Sequence, residues 1–230
     1  MILRLTPWLA ALLLGACAST PPPPDWQSNA YSALKSYSTA YLSGNSRLAN
    51  VELDRARAAV ASTGRPDWMA RTELTRCAIR VASLEFDDCA GYAPLAQDAP
   101  PSEQTYAAYL TGRWTGISPA LLPEHHRALV TERAGAPGQG GSTPTSGVLA
   151  AMKDPLARLV AAGALLQAGH LSPPDIAVAV DTASAQGWRR PLLAWLGVQH
   201  QRARDAGEHA AAARIQRRID LVLQSGAKVQ

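Results

Sequence analysis

Few side chains in this 230-residue chain could do chemistry, and they are unevenly placed. Glu85, Asp87 and Asp88 form the dense acidic cluster. Two carboxylates flanking a sugar bond are the machinery of a glycosidase, one as general acid and one as nucleophile or base. Such a site needs an enclosed cleft that raises the pKa of the acid. Acidic residues crowded beside a turn are instead expected on a solvated helix end. The histidines stand at 125, 126, 170, 200 and 209. A helical metal site wants ligands about one turn apart on one face, and His125 and His126 diverge by roughly 100° on a helix. His200 and His209 fall on different helices and His170 in a turn, so exposed histidines and no metal are expected. The sequence has no Gly-x-Ser-x-Gly elbow, phosphate-binding loop or His-Glu-x-x-His. No catalytic residue and no cofactor are expected, and the chain reads as a non-enzyme.

The N-terminus is more specific. Arg4 precedes an apolar run to Leu14 that suits a secretory h-region and falls short of the ~20 residues a spanning helix needs. The run closes in Leu14-Gly15-Ala16-Cys17. An aliphatic residue, two small residues and a cysteine resemble the lipobox of bacterial lipoproteins. The resemblance implies cleavage before Cys17, a diacylglyceryl group on its sulfur and acylation of the new amino terminus, palmitate being the usual chain. Ala18 stands where an aspartate would hold such a protein in the inner membrane. The implied address is therefore the periplasmic face of a Gram-negative outer membrane. Residues 1–16 are the expected signal peptide, and 17–25 the lipidated cysteine with a Pro-rich spacer. Pro21 to Pro24 favours polyproline II, so residues 18–24 would hold the domain about 20 Å off the bilayer. With Cys17 lipidated, Cys77 and Cys89 remain in an oxidising compartment, and a disulfide is the simplest expectation.

The elements that must position these residues read as helices. Alanine, leucine and arginine are abundant, there is a single phenylalanine, and β-branched runs are scarce, which favours an all-α fold. Trp26, Ala30, Ala33, Tyr37 and Tyr41 recur at helical spacing before Gly44. Ala49, Leu53, Ala56 and Val60 form a second stripe before Gly64, and Ala70, Leu74, Cys77, Val81 and Leu84 a third. Residues 90–101 read as an irregular connection, followed by helices over Ser102–Leu110 and from Pro119 or Pro123 to Arg133. Residues 135–147 are Gly-rich and read as a linker between an N-terminal half, 26–134, and a C-terminal half, 148–230. Asp154-Pro155 and Ser172-Pro173 are N-caps followed by proline at the first helical position. Two further helices run over about Arg190–Ala206 and Glu208–Gln224. Short Gly-marked turns imply antiparallel helical pairs. Gly44, Ala49, Leu53 and Ala56, and again Gly207 and Ala212, resemble the central turn and second helix of tetratricopeptide repeats. That resemblance implies a repeat-like α-solenoid, with a plain helical bundle as the alternative.

A formal net charge of +4 gives no support to nucleic-acid binding. Arg202, Arg204, Arg214, Arg217 and Arg218 alternate with Asp205, Glu208 and Asp220, which is expected to make a solvated, salt-bridged face. Trp188 and Trp195 are candidates for a partner surface. The expected function is that of a membrane-anchored periplasmic lipoprotein, a protein-binding scaffold or accessory subunit of an envelope assembly. The bilayer and an envelope protein would be its partners. The alternatives are a peptidoglycan-acting enzyme, or an activator of one, and a small-ligand carrier with an enclosed apolar pocket between the halves.

Overall fold

The computed structural model describes residues 23–134 and 145–227. The lipobox residues Leu14, Gly15, Ala16 and Cys17 lie outside them, as does most of the Gly-rich stretch. The described chain is helical throughout: α1 (Asp25–Leu42), α2 (Ser46–Ala61), α3 (Pro66–Ala82), α4 (Pro101–Leu110), α5 (Glu124–Ala134), α6 (Ser146–Ala151), α7 (Pro155–Gln167), α8 (Pro173–Ala185), α9 (Arg189–Asp205) and α10 (His209–Ala227). Short 3-10 turns at Ala93–Asp98 and Pro119–Leu121 lead into α4 and α5. No described helix is long and apolar enough to cross a membrane.

Local chemistry sets the boundaries. Pro66, Pro101, Pro155 and Pro173 open their helices, where proline's missing N–H would have had no intrahelical partner. Asp154 accepts from the Ala157 amide, and Ser172 and Asp175 form a reciprocal capping box on α8. The α1–α2 and α9–α10 turns each place a glycine in the left-handed region, Gly44 at φ 91° and Gly207 at φ 72°. That backbone lets consecutive helices fold back as antiparallel pairs.

One core joins the two sequence halves. Leu74, Val81, Tyr109, Leu110 and Leu129 pack in the same cluster as Leu159, Leu165, Val180, Trp195 and Leu196. The α3–α7 crossing is close enough that a Cβ on Gly163 would stand 2.3 Å from the Val81 carbonyl oxygen. A second cluster, with Tyr37, Tyr41, Leu42, Leu53 and Ile79, seats the α1–α2 pair on α3. Arg190 then bridges regions remote in sequence, its Nε donating to the Tyr41 carbonyl at 2.8 Å and its Nη2 to Ser46 Oγ at 2.7 Å. A strictly linear stack, in which each unit meets only its neighbours, has no such contact.

Two expectations change. Ser146 and Gly147 open α6 rather than closing a linker, because Leu149 and Met152 have core positions to fill. Trp195 belongs to no surface: it is 0 % exposed and its Nε1 donates to the Ala82 carbonyl at 3.1 Å. Trp188, at the N-cap of α9, is half-buried against both clusters.

Candidate functional site

The acidic cluster follows the end of α3. Its turn carries Leu84, Asp88 and Cys89 at φ 58°, 50° and 54°, a left-handed conformation that costs a side chain roughly 1–2 kcal/mol. The Cys77–Cys89 disulfide ties the turn back to the buried face of α3, with Cα atoms 5.1 Å apart and both residues inaccessible. Glu85 accepts from the Tyr41 hydroxyl, from Arg190 Nη1 at 2.8 Å and, as an ion pair, meets Arg80 at 3.3 Å. Asp87 accepts from Arg76 Nη1 at 2.8 Å and pairs with Arg80 at 3.2 Å. Arg76 also donates to buried Glu73, which Arg57 grips with both Nε and Nη2. Gly91 passes so near that a Cβ there would lie 2.0 Å from Glu73 Oε2.

This network decides the chemistry of the cluster. Burial alone would push the Glu85 carboxyl up. The hydrogen bonds from Tyr41 and Arg190 and the nearby guanidinium charges outweigh it and hold the group below its ordinary value. Burial also pushes the Tyr37 phenol, beside the same arginines, up to about 12. An ionised Glu85 is the wrong form for a general acid at neutral pH. Asp88 is exposed. The expected solvated helix end is instead a half-buried ion-pair lattice joining α1, α3 and α9.

The structure brings together a different set of residues, which sequence reading missed. Arg71, Leu74 and Thr75 of α3, Ser102, Glu103 and Tyr106 of α4, and Leu121, Leu122 and Pro123 line a groove of about 360 Å³. Glu103, in the first turn of α4, is 6 % exposed. Its Oε1 accepts from Arg71 Nε at 3.0 Å and Nη2 at 2.6 Å, and the Ser102 hydroxyl donates to Oε2. Burial raises the Glu103 pKa, but those donors overcome it and the net displacement is downward. Arg71 lies 4.9 Å over the Trp68 ring, and Trp26 and Trp68 meet in a T-shaped contact with centroids 5.3 Å apart. Apart from Thr75 the rest of the lining is largely apolar, and Leu121 is 41 % exposed at the mouth. The groove can seat an apolar body beside a fixed, ionised Arg–Glu pair.

An aromatic stack backs the Tyr106 wall. Tyr106 lies 6.1 Å from Tyr109 and 5.8 Å from His126, and Tyr109 is 5.1 Å from Trp114. His126 is the correction to the histidine reading: it is 1 % exposed, with Nδ1 3.2 Å from the Tyr109 hydroxyl. Burial, aided by neighbouring His125, lowers its pKa to about 3, so it is a neutral core imidazole. His125 and His209 are exposed, while His200 and His170 are half-buried. Among the described residues no group of His, Cys, Asp or Glu is arranged to hold a metal.

No family model matches the chain, and no curated protein or solved structure matches it significantly. The grounds for a function are therefore the geometry of the fold and the sequence motifs.

Proposed function

We propose that this chain is a membrane-tethered, non-catalytic scaffold of the cell envelope, and that the α3–α4 groove receives an apolar side chain of its protein partner. The groove is the observation that carries the reading. It is lined by Leu74, Tyr106, Leu121, Leu122 and Pro123, with one ordered charge pair, Arg71–Glu103, at its edge. Its volume is of the order at which pockets begin to hold ligands, about 300 Å³. An apolar floor beside a few fixed polar groups is the pattern of a binding anchor, where the pocket supplies energy and the polar rim sets orientation. The Glu85 network supports the same reading, because its carboxylates serve to lock α1, α3 and α9 together. The lipobox Leu14-Gly15-Ala16-Cys17 and the prolines behind it supply the tether. The acyl chains on Cys17 would hold the domain on the periplasmic face of the outer membrane.

The test places a photo-crosslinking residue at Leu121, in cells fed a labelled fatty acid. The chain with Cys17 intact is expected to take up the lipid label and to yield a discrete crosslinked protein in the membrane fraction. Cys17→Ala is expected to lose the label and the membrane crosslink together. The same crosslinker at exposed Leu48 serves as the surface control. Identical band patterns at positions 121 and 48 would remove the groove from the proposal, and a lipid label that survives Cys17→Ala would remove the tether.

A further inference from the structure

The C-terminal helix carries a surface that the groove reading leaves unused. Helix α10 packs along α9 through Ala212, Ile215, Ile219 and Val222. Turned away from that seam, Arg214, Arg217, Arg218 and Leu221 recur at positions i, i+3, i+4 and i+7, which is one face of a helix. All four are exposed, Leu221 at 66 %. The acidic partners that the sequence offered do not neutralise this face. Asp220 accepts from Gln216 Nε2 at 2.9 Å on the flank of α10, and Asp205 from Gln201 Nε2 at 2.7 Å on α9. Among the described residues none of the three arginines enters an ion pair, and the same holds for Arg202 and Arg204 near the end of α9. The alternating charges thus do not form the salt-bridged face expected from sequence.

We infer that this stripe of α10 lies on an anionic lipid surface. Three unpaired guanidinium groups on one exposed face complement phosphate headgroups, and each basic residue at an anionic bilayer adds about 1 kcal/mol, a factor of roughly five in partitioning. Leu221 sits among them, placed to enter the headgroup–acyl boundary while the arginines remain at the phosphates. The shape favours a bilayer over an acidic protein. The stripe lies on the outer side of a 19-residue helix, about 28 Å long, and no wall of the α3–α4 groove comes from it. Acyl chains on Cys17 would hold the domain on the membrane by themselves, so the basic stripe would set how the domain lies against the surface. The inference does not depend on the groove, and it is measurable without the acyl chains.

The test uses the chain from Ala18 onward, which keeps all the described residues and has no lipidation site. Its sedimentation is followed with vesicles of phosphatidylcholine alone and of phosphatidylcholine mixed with phosphatidylglycerol. Binding is expected to the mixed vesicles only and to weaken with added salt. The triple variant Arg214→Gln, Arg217→Gln, Arg218→Gln is expected to bind on the order of a hundredfold less. Leu221→Ser is expected to lose a few-fold while keeping the salt dependence. A control with the same change in net charge elsewhere, Lys35→Gln, Arg47→Gln, Arg113→Gln, is expected to bind like the parent. The inference is overturned by absent binding, by equal binding to neutral vesicles, or by an equal loss in the control. It is also overturned if the stripe retains an acidic protein from solubilised envelopes while the vesicles fail to bind.

Discussion

At the scale of single residues, the His126 imidazole lies in the core, 1 % exposed, with Nδ1 3.2 Å from the Tyr109 hydroxyl. Two adjacent histidines at the start of a helix read as solvated, and His125 is. One position along, the helix turns His126 into the core, where the Tyr109 hydroxyl meets its Nδ1, Tyr106 stacks on it and the Tyr109 ring lies tilted against it. The sequence carries no mark of this, because the partners come from another helix. The consequence is a pH dependence of stability. In the unfolded chain the imidazole titrates at its ordinary 6.5, and in the folded chain at about 3. Between those values the unfolded state holds the proton and the native state does not. Stability is therefore complete above about 6.5 and falls with pH toward about 3, by up to about 1.4 kcal/mol per unit. Urea unfolding at about pH 4.5 is expected to give a free energy roughly 3 kcal/mol below that at about pH 7. His126→Phe, which keeps the ring stack, should flatten that part of the profile. An unchanged slope in the variant would mean that other groups carry the acid sensitivity.

At the scale of elements, what was legible had local causes. The caps Asp154 and Ser172, the prolines at the first helical positions and the turn glycines place the helix ends near where they are observed. The groove was not legible, because Arg71 and Glu103 meet across 32 positions and each alone reads as a solvated helix residue. The same holds for Arg190, whose partners Tyr41 and Glu85 lie far upstream. The turn after α3 combines both kinds of cause. The cysteines could be paired from export and count, but the work of the bridge appears only in the fold. It holds a turn with non-glycine residues in the left-handed region while Glu85 and Asp87 reach their arginines. Replacing both cysteines by alanine is expected to cost about 3 kcal/mol through the freer unfolded chain. Asp88→Gly in that background should return up to about 1 kcal/mol, because the exposed Asp88 leaves its conformational penalty behind. Denaturant midpoints of the parent, the double and the triple variant decide this. No loss on removing the bridge would show that the ion pairs alone suffice to hold the turn.

At the scale of the molecule, the question is whether the sequence halves on either side of residues 135–144 are separate folding units. The buried positions argue against it. Val81 of α3 touches Gly163 of α7, Trp195 of α9 donates to the last residue of α3, and the Gln167 side chain donates to the Leu110 carbonyl at 2.6 Å. A unit that ended near residue 134 would expose Leu74, Val81 and Leu110, and its counterpart would expose Leu159, Leu165 and Trp195. Neither half could bury its own apolar surface. Unfolding is therefore expected to be a single transition, with tryptophan fluorescence and far-ultraviolet circular dichroism superimposable. Gly163→Ala provides the sharper test, because its Cβ would stand 2.3 Å from the Val81 carbonyl oxygen, which is backbone, as well as 2.8 Å from Val81 Cγ1. Forcing the helices apart should cost about 1–3 kcal/mol or more. Since α3 and α7 belong to different halves, the variant's midpoint should shift equally for probes in both. A substitution that moved only the C-terminal probes, or a parent curve with two steps, would mean that the halves fold separately and that the shared core is a docked interface.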